Sequence, residues 1–483
     1  MLKEAEILKF IQEDSLSEKK RLAQQGQKYY DGEHDIKNYR LFYYDANGEL
    51  QEDKTRSNIK IPHPFFTELV DQEVQYMLSG DDFVKSDIPE LQKELKKYFD
   101  SDFVSELSDT LTFAVTNGFA YMYAYKSKDD ITRFLNAETC GVVEIRAKDT
   151  DDQCEYIIYW YVDRINKSKE QIKRIQVWDK SQTYYYVQKN DGKLKIDTDE
   201  TINPRPHVVY TKDDSGQKYY EDLGYIPFFR LDNNKKQVSG LKPIKDLIDD
   251  YDLMACGLSN NIQDFDHPIY AVSGFQGDDL DQLITNLKTK KTIGTDVGGD
   301  VNIKTIDIPY QARQTKLALD EVNIYRFGMG FNSAQVGDGN ITNIVIKSRY
   351  ALLDLKCDKL EKQLKRFMNK IVKVVLDEIN KTNKTDYSIA DIKYNFEREI
   401  MTNATDNAQI KQIEAQTKAV EINTLLNVAN VIGQQEVIKL ICEQLDIDYE
   451  EIKNEQMEVE DILNGVVVED EQKAETSPAL PLQ

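Results

Sequence analysis

Disulfide pairs, a signal-type leader, a membrane span and a phosphate-binding loop are all missing from this chain, and each absence closes off a class of function. Its five cysteines (Cys140, Cys154, Cys256, Cys357, Cys442) lie far apart with no CxxC pair, which suits neither a disulfide framework nor a zinc site. They are expected as reduced thiols in a cytosolic compartment. The start, "MLKEAEILKF", lacks an apolar h-region, and the longest apolar run, "YIIYWYV" (Tyr156–Val162), is far too short to span a bilayer. A soluble intracellular product without membrane contact is expected. Histidine is scarce too: His34, His63, His207 and His267 are scattered, three of them beside prolines, with no HExxH-type spacing, so histidine-based metal or triad chemistry is not expected.

No Walker A loop exists, because no glycine-rich turn leads into Lys-Ser/Thr. "GMGFNS" (Gly328–Ser333) follows a helical pattern and lacks the third glycine of a dinucleotide fingerprint, and "GTDVGGD" (Gly294–Asp300) lies between strand patterns. Both read as plain loops. There is no GxSxG elbow. Acidic pairs such as Asp249-Asp250 and Asp278-Asp279 could hold a divalent cation, but among 85 acidic residues such pairs are expected on solvated faces. No cofactor, metal or catalytic residue is expected.

What is present is a globular composition, with 40% hydrophobic residues over 483 positions, enough for about two to four domains. The formal net charge is -23, so the chain as a whole repels nucleic acid and anionic membrane, and contact with either must come from local basic patches. Residues 3–30 read as largely helical. Segment 62–80 gives a helix with Phe66, Leu69, Val70, Val74 and Met77 on one face and Gly80 as its C-cap. From about 119 to 230 the pattern turns to strands, and Asp191-Gly192 in "QTYYYVQKNDGKLKID" marks a hairpin. Apolar residues from Leu241 to Phe265 recur at helical steps. Strand patterns in "HPIYAVSG" and "DVNIKTIDIPY" bracket a short helix, "DDLDQLITNLKTKK", and 314–328 is helical again.

A polar loop, "FNSAQVGDGNITN", then leads into the strongest periodicity. Ile346, Tyr350, Leu353, Cys357, Leu360, Leu364, Phe367, Ile371 and Val374 alternate steps of four and three. This segment carries nine basic residues (Lys347, Arg349, Lys356, Lys359, Lys362, Lys365, Arg366, Lys370, Lys373) against three acids (Asp354, Asp358, Glu361), a local balance of +6 that leaves -29 for the rest. One reading is a solvated coiled-coil face. The other is a cationic lining for phosphates, acting by charge without sequence specificity. "IKYNFERE" suggests a strand, 404–445 a helical region broken near Gly433, and the acidic, Pro-containing tail a disordered end.

The order of these elements resembles the portal proteins of tailed bacteriophages, of the type found in siphophages of Gram-positive hosts. The residues that carry the likeness span about 400 positions. They are "YYDGEH", then "TRSNIKIPHPFFTELVDQEVQYMLSG" with Asn58, Val70, Asp71, Tyr76 and Gly80, then "TNGFAYMYAY". The most specific is "LGYIPFFRLDNNKKQVSGLKPIKDLIDDYDLMACGLSNNI", with Ile226-Pro227, Asn233-Asn234, Ile244, Leu247, Ile248, Asp249 and Tyr251. Many members of that family have Ser-Gly before the long helix, where this chain has Thr342-Asn343.

The resemblance implies an α+β portal fold assembled as a ring of about 12 subunits at one capsid vertex. It implies a wing at 1–240, a stem helix at 241–265, a clip at 266–310, a second stem helix at 311–329 and a tunnel loop at 330–343. A long helix and wing return follow at 344–400, then a crown at 401–454 and an acidic tail at 455–483. It also implies a channel for double-stranded DNA, packed by a separate terminase large subunit, with head-completion, major capsid and scaffold proteins as further partners. Assembly would take place in the bacterial cytoplasm and the product would reside in the virion.

On that reading Asn332, Ser333, Gly337, Asp338, Gly339, Asn340, Thr342 and Asn343 form a flexible polar loop over the moving duplex, and Lys347, Arg349 and Lys356 are candidates to face phosphates. Two alternatives differ in class. One is a virion or scaffold protein self-associating through the heptad helix, and the other is a metal-dependent nuclease using an acidic cluster.

Overall fold

The computed structural model describes residues 2–80, 83–127, 131–147, 154–163, 172–189, 192–211, 218–265, 269–275, 295–304, 309–332 and 343–396. It also describes 281, 283, 398 and separate helical positions between 412 and 440. The chain divides into two compact units, Met1–Asp338 with Lys347–Ile400, and Gly339–Ile346 with Met401–Gln483. In the second unit the described positions between 412 and 440 are helical, and Val437 among them is buried. The break expected near Gly433 and the tail at 455–483 lie outside the described residues.

The first unit is mixed α+β. The expected N-terminal helix is two helices, α1 (Glu4–Ser15) and α2 (Glu18–Tyr30). They part at Ser17, whose side chain accepts a hydrogen bond from the Lys20 N–H and so caps α2. A hairpin of β1 (Phe42–Tyr44) and β2 (Leu50–Glu52) precedes α3 (Phe65–Met77). All five residues expected on the apolar face of α3 are buried. Gly80 is not its C-cap, because α3 already ends at Met77 with Leu78 as the cap.

Next come β3 (Val84–Lys85), α4 (Pro89–Tyr98) and α5 (Ser101–Asn117), then β4 (Phe119–Lys126) and β5 (Thr132–Ala137). The strand-rich stretch continues with β6 (Val142–Ile145), β7 (Tyr156–Asp163), β8 (Ile172–Trp178), β9 (Gln182–Gln188), β10 (Leu194–Ile196) and β11 (Arg205–Pro206). After these come β12 (Val208–Thr211), β13 (Lys218–Glu221) and β14 (Phe228–Asp232). Strands β6 to β10 form an antiparallel meander, with β11 added on β9, while β14, β4 and β5 make a separate three-stranded sheet. The expected β9–β10 hairpin is present, and Gly192 takes a left-handed φ of 70° in its turn.

Helix α6 (Lys245–Phe265) is followed by β15 (Ile269–Phe275) paired with β16 (Thr295–Lys304), then α7 (Tyr310–Gly328) and α8 (Asn343–Asn383). The short helix expected between β15 and β16 falls almost wholly outside the described residues. The expected strand "IKYNFERE" shrinks to β17 (Lys393–Tyr394), paired with β3.

The main core gathers α3, α5, the β14–β4–β5 sheet and above all α8. Leu353, Cys357, Leu360, Leu364, Phe367 and Ile371 of the heptad stripe are buried there. So are Met368, Val372, Val375, Leu376 and Ile379, which widen the stripe into a broad face. A two-stranded coiled-coil seam is narrower, so this helix serves a globular core inside its own subunit. Each such side chain contributes about 1.5–3 kcal/mol by burial.

Candidate functional site

The entry to the polar loop is built by four residues that looked like a weak nucleotide motif. Helix α7 stops because Met329 turns left-handed, with φ 57°, and the Gly330 N–H returns to the Tyr325 carbonyl at 3.0 Å. A Cβ on Gly330 would sit 2.0 Å from Leu69 Cδ2, and one on Gly328 would sit 2.6 Å from Leu69 Cδ1. Two glycines are therefore needed to seat the end of α7 on α3. The Gln72 side chain then clamps the next peptide from both sides, accepting from the Phe331 N–H at 3.0 Å and donating to its carbonyl at 2.8 Å. The Phe331 ring stacks on Tyr350 at 4.8 Å, and Asn332 donates to Glu321 at 2.9 Å.

Of the loop residues expected to meet DNA, Asn332 is thus tied back to α7. Ser333, Gly337, Asp338, Gly339, Asn340 and Thr342 lie outside the described residues. Asn343 opens α8, and the side chains of Asn343, Lys347 and Arg349 are outside the described ones.

The cations of α8 sort into groups that periodicity alone does not separate. Lys356 places its ammonium 2.8 Å from the carboxylate of Glu73, which is almost wholly buried in α3, so it neutralises a core charge. Lys365 pairs with Glu361 at 2.7 Å. All three acids of the segment are drawn to one distant residue, Arg398, which reaches Asp354 at 3.4 Å, Asp358 at 2.7 Å and Glu361 at 2.6 Å. What remains is an exposed row, Lys359, Lys362, Arg366, Lys370 and Lys373, whose steps of three and four place it on one helix face. Among the described residues none of these five makes an ion pair.

The C-terminal part of that row walls a cleft of about 870 Å³ beside β14. Tyr225, Phe228 and Val374 give it apolar surface, and Arg146, Lys180, Arg366, Lys370 and Lys373 give it positive charge. Its base is held by Arg230, which donates to Glu144 at 2.5 Å and to Asp232 at 2.8 Å. Burial alone would raise the Glu144 carboxyl, yet the charges of Arg230 and Arg146 outweigh it and hold the group below its ordinary value.

A second arrangement was not anticipated from the sequence. The extended segment Ser57–His63 runs along α6, and every second backbone N–H meets an α6 side chain four residues nearer the helix start. Ser57 donates to Asp264 at 3.1 Å, Ile59 to Asn260 at 2.7 Å, Ile61 to Cys256 Sγ at 3.3 Å and His63 to Asp252 at 2.9 Å. Two extended residues advance about 6.6 Å and four helical residues about 6 Å, so the two periods stay in register over four rungs.

The buried Asp252 also takes the His63 ring at 2.7 Å and the His34 ring at 2.7 Å. Burial would raise its carboxyl, but the hydrogen bonds from His34 and His63 prevail and hold it below the usual carboxylate range. Two of the four scattered histidines, His34 and His63, therefore converge as a structural clasp. Among the described residues no group of three or more His, Cys, Asp and Glu is arranged to hold a metal. Cys357 is likewise a core thiol, which burial pushes up to about 12. No described helix is long and apolar enough to cross a membrane.

An α+β subunit with a clamped loop entry, a long helix bearing cations and a small two-stranded module between two paired helices is the outline expected of a portal subunit. Comparison with known proteins gives the family: residues 8–455 match the family described as "Phage portal protein, SPP1 Gp6-like", and the chain belongs to that family. Among its relatives, the portal protein of Bacillus phage SPP1 is 26% identical over 365 residues, covering 75% of this chain and 71% of the relative. The portal protein of Clostridium phage phiCD119 is 25% identical over 398 residues, covering 76% of this chain and 83% of the relative. Portal proteins are structural, so the chain is not an enzyme, and the nuclease alternative falls.

Proposed function

We propose that the protein forms a ring of about a dozen subunits at one capsid vertex, closed by heterologous contacts, through which double-stranded DNA is packaged and later ejected. The observation that carries this reading is the family match along residues 8–455, which covers almost every element of the chain. In this reading residues 1–240 are the wing, α6 and α7 the stem, 266–310 the clip, 330–343 the tunnel loop, 344–400 the long helix and wing return, and 401–454 the crown. A terminase large subunit supplies the energy from outside, and head-completion, capsid and scaffold proteins dock around the ring.

The polar loop between Asn332 and Asn343 faces the duplex, and Lys347 and Arg349 sit nearest to it on α8. Lys356 is the least available of the three cations named for phosphate contact, because Glu73 holds it. A coiled-coil oligomer is disfavoured by the burial of the heptad stripe within one subunit.

The test is native mass with particle imaging. With 55.9 kDa per chain, a twelvefold ring has a mass of roughly 670 kDa and a central hole. A stable species of one to three copies at every concentration and ionic strength overturns the ring.

A further inference from the structure

Among the described residues, two features of the first unit leave apolar surface uncovered. One is the β1–β2 hairpin. Every residue of both strands is exposed, among them Phe42, Tyr43, Tyr44 and Leu50, with Tyr44 74% exposed. An isolated two-stranded hairpin is marginal in water, and aromatic side chains on both of its faces gain nothing from solvent. Between Leu41 and Asp53 it carries Asp45, Glu49, Glu52 and Asp53 and no basic residue, while the flanking Arg40 and Arg56 pair with Glu52 at 3.8 Å and Asp53 at 2.5 Å and, among the described residues, leave Glu49 as its free acid. The other is the cleft beside β14, where Tyr225, Phe228 and Val374 offer apolar surface between Arg366, Lys370 and Lys373 on one wall and Lys180 on the other. The cations exposed on α8 there have no ion pair among the described residues; Arg398 takes Asp354, Asp358 and Glu361, and Asp377 is the one α8 acid that also lines the cleft.

We propose that the cleft is the docking site for the β1–β2 hairpin of a second copy of this chain. The inference rests on the ring reading, and it names the two faces that such a ring would join. A hairpin with aromatic flanks and an acidic turn matches an apolar floor with a cationic rim in both chemistry and sign. The two faces differ, so the contact is heterologous: each copy offers a hairpin to one neighbour and a cleft to the other, and such contacts close into rings. DNA fits the same place less well, since a phosphate backbone makes no use of the apolar floor.

The test uses the full chain in three forms: Glu49→Lys with Glu52→Lys, Lys370→Glu with Lys373→Glu, and all four together. All sites are exposed, so the fold is expected to persist, and near-ultraviolet circular dichroism checks this. Each pair alone is expected to weaken assembly at least tenfold by sedimentation, and the fourfold variant is expected to recover most of it. Assembly unchanged in the separate pairs, or no recovery in the fourfold variant, overturns the proposal. So does a Lys370→Glu, Lys373→Glu protein that assembles normally but loses duplex DNA binding, because the row would then serve phosphates.

A second measurement separates this proposal from the ring itself. Carboxyl-to-amine crosslinking of mixed light and heavy isotope copies is expected to join Glu49 or Glu52 of one copy to Lys370 or Lys373 of another. If the wild-type protein forms no ring yet gives these crosslinks, the ring reading fails and the docking stands. A ring without them sinks the docking alone.

Discussion

Asp252, a residue that the sequence did not single out, holds two distant segments together. It fixes α6 to the N-terminal region by taking both histidine rings and the His63 N–H while itself fully buried. Replacing it by Ala leaves those donors facing an apolar hole, and the expected cost is about 3–5 kcal/mol in chemical denaturation. The pH dependence follows from the depressed carboxyl. Above the ordinary aspartate value of about 3.9 the stabilisation is fully present, and it is lost as pH falls through the lower folded-state value. Wild type is therefore expected to lose stability more steeply than Asp252→Ala on acidification below about pH 4. Parallel curves for the two proteins would show that the clasp contributes nothing. The sequence did contain a trace of it, since Asp252, Cys256, Asn260 and Asp264 recur every four residues along an otherwise amphipathic helix. What it could not show is that the matching N–H groups lie 189 to 207 residues away.

At the scale of elements, the α7–loop junction shows what a pair of glycines in a plain loop is for once its neighbour is known. "GMGF" has the look of a phosphate turn, but its glycines exist because Leu69 of α3 stands where their side chains would be. Gly330→Ala is expected to destabilise the protein by about 1–3 kcal/mol through overpacking, and Leu69→Ala in the same chain to return part of that loss. Thermal unfolding of the two single variants and the double variant decides it: strictly additive losses would mean the two side chains do not compete for space. Helix α8 carries the opposite lesson. Its heptad spacing was legible, and so was its basic character, yet the same pattern fits a seam between chains and a face in a single core. The extra buried residues Met368, Val372, Val375 and Leu376 decide for the core.

At the scale of the whole molecule, the proposed function would have the acidic balance of -23 and the local cations divide the work between repelling DNA and guiding it. A channel lined mostly with cations would hold phosphates by counterion release and stall translocation. Within the proposed function, Lys347→Ala with Arg349→Ala is expected to leave the native mass unchanged while lowering packaged DNA severalfold, measured as nuclease-protected DNA per particle. Full packaging by that variant would mean that neither residue faces the channel.

The amino-acid sequence by itself determined the placement of most helices and strands, because amphipathic period and turn chemistry are local properties carried by neighbouring residues. It also determined the family, through short motifs whose order survives over most of the chain. Only the tertiary structure decided which charges are free. Lys356 belongs to Glu73, Asp354, Asp358 and Glu361 belong to Arg398, and His34 and His63 belong to Asp252. The reason is physical: an ion pair or a buried hydrogen bond is set by a few ångströms of distance between residues that can be hundreds of positions apart, and no periodicity along one segment encodes its partner on another.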